Sequence, residues 1–347
     1  MIVVNIFGEI KPIVISKKLG ITLSNLPQDW KEGLIETLEE EIHHREYDVK
    51  KYNHDFANIE PYNAKKIVEH KNFSGILALR SKDYLKEIGN NLICISVEDF
   101  ENSMLQKKNS YIDSPTCEIE FSEKLICLYE FMIRHDSNKR NWSPITCMYS
   151  SERSLFESTN VFRILNAEIG FDIKIDPITY NQRKIDSLKD FGGVLDLFLE
   201  NAINFRMLDY ILTAIANDNS YNAYHLFKNY ALIEMILGKE DLDDSSKFDE
   251  KLATFVKLDR YQNNEKEIQF AKIIRQIRNK IAHGDFIGLQ RKLEDYAAYF
   301  MKNYHFDYFE YSRENWIYLY ICCELDKILA NILWELFSKY ISINQHE

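Results

Sequence analysis

Residues 275–286, RQIRNKIAHGDF, place Arg275, Arg278, Asn279, Lys280 and His283 on one short amphipathic stretch, with Lys272 just before it. A guanidinium presents a planar fork of donors that matches phosphate oxygens. An imidazole titrates near neutrality and can take or give a proton. Together such residues can hold or cut RNA, which carries its own nucleophile in the 2′-hydroxyl beside each phosphate. The same residue types also suit an ordinary helix end, where cations complement the helix dipole and need no function.

On a helix of about 100° per residue, with Asn279 at zero, Arg275 and His283 fall within about 40° of it on one polar line. Ile273, Ile274, Ile277 and Ile281 cluster on the opposite side as a core stripe, and Arg278 stands about 100° round, at the border of that stripe. Gly284 is placed to end the helix as its C′ residue. From residue 268 to 284 no acid interrupts Lys272, Arg275, Arg278 and Lys280. A local cationic strip is therefore expected in a chain whose net charge is -11. With that global charge, any polyanion must be met by a local patch and not by the overall field.

The helix that carries this strip needs neighbours. From about residue 186 the apolar spacing is helical: residues 191–216, 222–238, 265–283 and 313–341 predict four helices, the second stopping at Gly238. Four helices with long connections imply a bundle of two antiparallel hairpins. Glu234 falls on the apolar stripe of the second helix, and a carboxylate there needs a partner, for which Arg278 is a candidate. Residues 1–185 have a different texture. MIVVNIF, KPIVISKKLGITL, FSGILALRS and NLICISVEDF are short and β-branched, as strands are, and FDIKIDPITY alternates with period two before Pro177. Residues 29–52 predict an exposed amphipathic helix. The expected fold is thus mixed: an N-terminal α/β (α+β) domain over 1–185, then an all-α four-helix bundle over 186–347.

Composition agrees with a helix-rich globular chain. Its 347 residues suffice for one large domain or two ordinary ones, and Gly and Pro are scarce, at 11 and 6. Six cysteines lack CxxC or CxxH spacing and fit reduced thiols in a cytoplasmic protein. No signal-peptide pattern opens the chain, and no run reaches the roughly 18 apolar residues of a membrane span.

With its Arg-Asn start, Ala-His-Gly finish and flanking helices, Arg278-Asn279-x-x-x-His283 resembles the RxxxxH motif of HEPN-superfamily domains, and looks most like the Apea-like branch. The resemblance runs from about residue 190 to the C-terminus. It implies a metal-independent endoribonuclease, without a cofactor, whose active site forms where two protomers bring Arg and His together. Carried onto this chain, Arg278 and His283 are the expected catalytic pair, Asn279 an orienting neighbour and Glu234 a supporting residue. Arg275, Lys272 and Lys280 are expected to touch RNA. Domains of this kind serve widely as toxins or phage-defence effectors. The chain departs from the family where residues 285–312 make a long aromatic-rich insertion, expected to wrap the dimer, line the RNA groove or obstruct it. The other reading that the residues allow is a non-catalytic module that binds RNA, a nucleotide or a protein. Residues 1–185 are left as a sensor, specificity or regulatory domain with room for a ligand or protein partner.

Other constellations carry less. His43 and His44 are adjacent and diverge by about 100° on a helix, which suits shared metal ligation poorly. The basic run Arg134–Asn141 reads as a solvated loop. No phosphate-cradling glycine loop, GxSxG or Cys-His arrangement is present.

Overall fold

The β-branched segments at the start of the chain pair as strands. Ile2–Phe7 (β1), Ile13–Ser16 (β2), Ile21–Asn25 (β3), Leu92–Val97 (β4) and Cys147–Tyr149 (β5) form one antiparallel sheet in the order β2-β3-β4-β1-β5. Ile2 stands opposite Ile95 on β4 and Tyr149 on β5, and Ile21 opposite Val97. The computed structural model describes residues 2–33, 35, 36, 40, 91–97, 115–136, 142–145, 147–149, 177–216, 220–238, 245–256, 264–302 and 310–338. The expected strand FSGILALRS, residues 171–176 of FDIKIDPITY, and His43 and His44 lie outside these.

The chain folds as two compact units, residues 1–126 with 141–200 and residues 127–140 with 201–347. The expected boundary at 185/186 falls inside a helix, Pro177–Phe198 (α2), and the units divide after Glu200 instead. The reason is local. Pro177, expected to end a strand, occupies the first helical position, where its missing N–H is no loss, and α2 packs on β2 and β1. The Asp196 carboxylate at its end accepts the Ser16 hydroxyl at 2.5 Å and the backbone N–H groups of Lys17 and Lys18 at 2.8 and 3.1 Å. The fully buried Lys184 donates to the Asn5 carbonyl at 2.7 Å. The helix Pro115–Arg134 (α1) gives residues up to 126 to the first unit and its remainder to the second.

The second unit is helical: Ala202–Ala216 (α3), Ala223–Leu237 (α4), Ser245–Ala253 (α5), Asn264–Ala282 (α6), Phe286–Phe300 (α7) and Glu310–Ser338 (α8). The continuous first helix expected over 191–216 is broken at 199–201, where the Asn201 side chain accepts the Ile203 N–H at 3.1 Å and starts α3. The second helix begins at an Asn222 cap, and it stops at Gly238 as its sequence predicts. α4 packs on α8 and α6, while α5 and α7 pack on α6. The aromatic-rich 285–312 segment is therefore no loose insertion in its first part. It forms α7, whose Leu289, Leu293, Tyr296 and Ala297 are buried. Among the described residues no helix is long and apolar enough to cross a membrane.

Candidate functional site

α6 is seated by Phe270, Ile273, Ile274 and Ile277, all buried, which leaves its other side, the exposed Ile268 apart, to polar residues. It ends as a Schellman turn: Gly284 adopts φ 63°, its N–H bonds the Ile281 carbonyl at 3.1 Å, and the Asp285 N–H reaches the Lys280 carbonyl at 3.0 Å. Asp285 then caps α7, accepting the Gly288 N–H at 2.9 Å and the Lys280 ammonium at 2.7 Å. Those two donors, the ammonium first, hold its carboxyl below the usual range. Ala-His-Gly-Asp is thus a helix-to-helix connector, and it leaves His283 exposed at the end of α6.

Arg278 is held from three sides. Its Nη2 pairs with Glu234 Oε2 of α4, and its Nη1 donates to Asn279 Oδ1 at 3.0 Å. Its guanidinium carbon lies 5.2 Å from the centroid of the Tyr230 ring. Arg278 Nε is buried and has no hydrogen-bond partner among the described residues. Tyr230 is itself fully buried, and burial, with the Glu234 charge second, pushes its phenol well above the usual range. Glu234 thus has the partner that its place on the apolar stripe requires, at a half-buried position.

The rest of the strip is less free than its sequence suggests. Arg275 makes a fork on Asp249 of α5, both contacts at 2.9 Å, and the hydrogen bonds to that carboxylate hold its guanidinium above the usual range. Asp249 is only 4% exposed. Lys280 serves Asp285, and Lys272 is exposed. Arg275, Arg278 and Lys280 each face a carboxylate, so the field over the strip is weaker than four bare cations would give. Just past His283, Phe286 and Ile287 are exposed at 78% and 71%, an apolar pair at the very turn that presents the imidazole.

A second polar cluster lies in the same unit. Of its residues only His135 was touched on by sequence, in the basic run 134–141 read as a solvated loop, and that run in fact starts at the end of α1 with His135 half-buried. Asp326 of α8, 2% exposed, accepts from Asn229 Nδ2 at 2.5 Å and faces His225 Nε2 at 2.8 Å, both from α4. His135, just beyond α1, brings its Nε2 to 3.8 Å from Asp326 Oδ2. Burial holds the His135 imidazole below its ordinary value, against the raising effect of Asp326. The available signal was polar residues on apolar stripes: His225 and Asn229 are four apart beside Leu226, Tyr230 and Ile233, and Asp326 stands four after Cys322. Among the described residues no group of three or more His, Cys, Asp or Glu side chains is placed to hold a metal ion. No protein-family model, curated protein or solved structure matches this chain.

Proposed function

We propose that the second unit is a HEPN-type endoribonuclease that cleaves RNA at a site completed by a second copy of the chain, in the manner of a toxin or defence effector. Arg278 and His283 are five residues apart, on α6 and at its end, hence about 140° apart round the axis and about 7.5 Å along it. One copy therefore spreads the pair, and two copies meeting at the α6–α7 turn would bring each His283 toward the other's Arg278. The observation that carries this reading is the combination at that turn: His283 exposed, and Phe286 and Ile287 exposed beside it as apolar contact surface for the second copy. Arg278, oriented by Glu234, Asn279 and the Tyr230 face, would stabilise charge on the phosphate oxygens. One imidazole would take the 2′-hydroxyl proton and the other protonate the leaving 5′-oxygen. Arginine and histidine suffice for this chemistry without a metal.

The experiment is incubation of purified protein with labelled RNA in EDTA, comparing wild type, His283→Ala and Phe286→Glu/Ile287→Glu. Cleavage by wild type alone, with the double variant monomeric, supports the reading; equal cleavage by all three, or none by any, refutes it. A second reading, a non-catalytic module that binds RNA, a nucleotide or a protein, is favoured by the Glu234 pair itself. A guanidinium already neutralised and stacked is also what a purely structural brace looks like. That reading expects His283→Ala to change nothing while Arg278→Ala lowers stability. The first unit would then act as sensor or specificity domain in either case.

A further inference from the structure

The polar cluster around Asp326 opens on a cavity of about 250 Å³ lined by residues of the second unit alone, among them Phe131, Arg134, His135, Tyr221, His225 and Asp326. Neither Arg278 nor His283 lines it. Its volume is just below the roughly 300–1,000 Å³ of pockets for drug-sized ligands, which limits an occupant to something the size of a single nucleotide.

Three features define what would fit. First, Asp326 uses Oδ1 for both Asn229 and His225, while among the described residues the polar atom that Oδ2 faces is His135 Nε2, at 3.8 Å. That separation is too long for a hydrogen bond but suits one nitrogen lying about 2.9 Å from each atom and donating a hydrogen to both. Burial favours the neutral His135 ring, which has one nitrogen able to accept. A carboxylate oxygen at the wall of a cavity, on a side chain otherwise buried, gains from such a donor. Second, rings surround the gap in two pairs, Phe131 with His135 at 4.9 Å between centroids and Tyr221 with His225 at 5.5 Å. They offer faces for a planar base, which an aliphatic amine would leave unused. Third, Arg134 is exposed at the cavity, where a guanidinium can fork onto a phosphate.

We propose that this cavity binds a mononucleotide whose base carries an exocyclic amino group, with the amino nitrogen bridging Asp326 Oδ2 and His135 Nε2 and the phosphate on Arg134. The site is independent of the ribonuclease reading and stands or falls without it.

Isothermal titration of the full-length chain with AMP and CMP, against IMP and UMP, tests it directly. In the second pair a carbonyl replaces the amino group and the adjacent ring nitrogen gains a hydrogen, while the ring skeleton, ribose and phosphate stay the same. AMP or CMP is expected to bind, with its carbonyl counterpart at least about tenfold weaker, the loss of one hydrogen-bonded donor against a buried acceptor. Arg134→Ala should weaken AMP toward the affinity of adenosine. Asp326→Asn should abolish the preference. Because that change touches the core, His135→Phe is the second variant, checked for unchanged far-UV circular dichroism, and it too should lose the preference. Absence of binding by all four nucleotides at millimolar concentration would overturn the proposal. Equal affinity within each amino/carbonyl pair, or a preference that survives His135→Phe, would overturn it as well.

Discussion

Gly192 and Gly193 are neighbours in the same helix, and replacing each by alanine should move stability in opposite directions. Gly192 is buried where α2 lies on β2. A Cβ added there would stand 2.6 Å from the Ile15 carbonyl carbon and 2.8 Å from its Cγ2, with the carbonyl oxygen nearer still. Carbon atoms in contact prefer about 3.5–4.0 Å, so helix and strand must part by roughly 1 Å. The obstacle is backbone and cannot rotate away. Overpacking of this kind costs about 1–3 kcal/mol, and the rigid partner places it at the upper end, about 3 kcal/mol. Gly193 is exposed, and a Cβ there meets nothing within 4 Å. Replacing a mid-helix glycine by alanine then gains about 1 kcal/mol from backbone entropy and propensity. The two variants should differ by about 4 kcal/mol. Urea unfolding followed by far-UV circular dichroism measures this, fitting separate transitions if the two units unfold independently. If both substitutions shift the midpoint the same way, or Gly192→Ala is neutral, the close approach of α2 to β2 is wrong.

Three further outcomes follow from the second unit. Gly284→Ala should cost about 1–2 kcal/mol through its left-handed φ of 63° alone, since nothing crowds the new Cβ, and Gly284→Asn should cost less; identical thermal melts would contradict this. Asp249→Ala should destabilise by about 2 kcal/mol, below the 3–5 of a fully buried broken pair because water reaches Arg275. In an Arg275→Ala background the same change should cost at least about 1 kcal/mol less, and a double-mutant cycle without coupling would refute the fork. His135 makes stability depend on pH. Its folded value lies below the unfolded one, so on acidification the unfolded chain takes up the proton first. Stability should therefore fall as pH drops from about 7 through the imidazole's ordinary range, with a slope of at most about 1.4 kcal/mol per pH unit. His135→Gln should flatten that slope, and an unchanged profile would remove His135 as its source.

The elements whose apolar spacing is regular were legible in the sequence, because local pattern alone decides them. β1 to β4 and the cores of α4, α6 and α8 are of this kind, as are the stops at Gly238 and Gly284. What failed was where one element's neighbours settle the matter. The helical apolar spacing that sets in near residue 186 suggested that a bundle begins there. The close contact of Gly192 with Ile15, and Asp196 on the β2–β3 turn, assign that helix to the sheet instead. Neither contact is visible without the strand that lies 180 residues earlier. α5 was missed for a similar reason: it is short and mostly polar, and becomes a helix side by packing on α6. α7 was missed because its aromatic-rich stretch reads as an insertion until its apolar face is seen packed on α6.

For the candidate site the lesson runs through charge. A strip without an acid from 268 to 284 looks cationic when read along the chain, yet carboxylates arrive from elsewhere: Glu234 from α4, Asp249 from α5 and Asp285 from the cap of α7. Only the first of these could be anticipated, because a carboxylate on an apolar stripe demands a partner. Asp285, directly after the motif that resembles a ribonuclease signature, pairs with that motif's Lys280 while capping the helix that follows. The same inference that found Glu234, a polar group where the pattern wants an apolar one, applies equally to Asp326, His225 and Asn229. Arg278 and His283 stand out by resemblance, whereas the Asp326 cluster stands out by burial. A buried carboxylate that leaves one oxygen facing a cavity is the feature that local sequence hides most completely, since both the burial and the cavity are made by segments about 100 and 190 residues away.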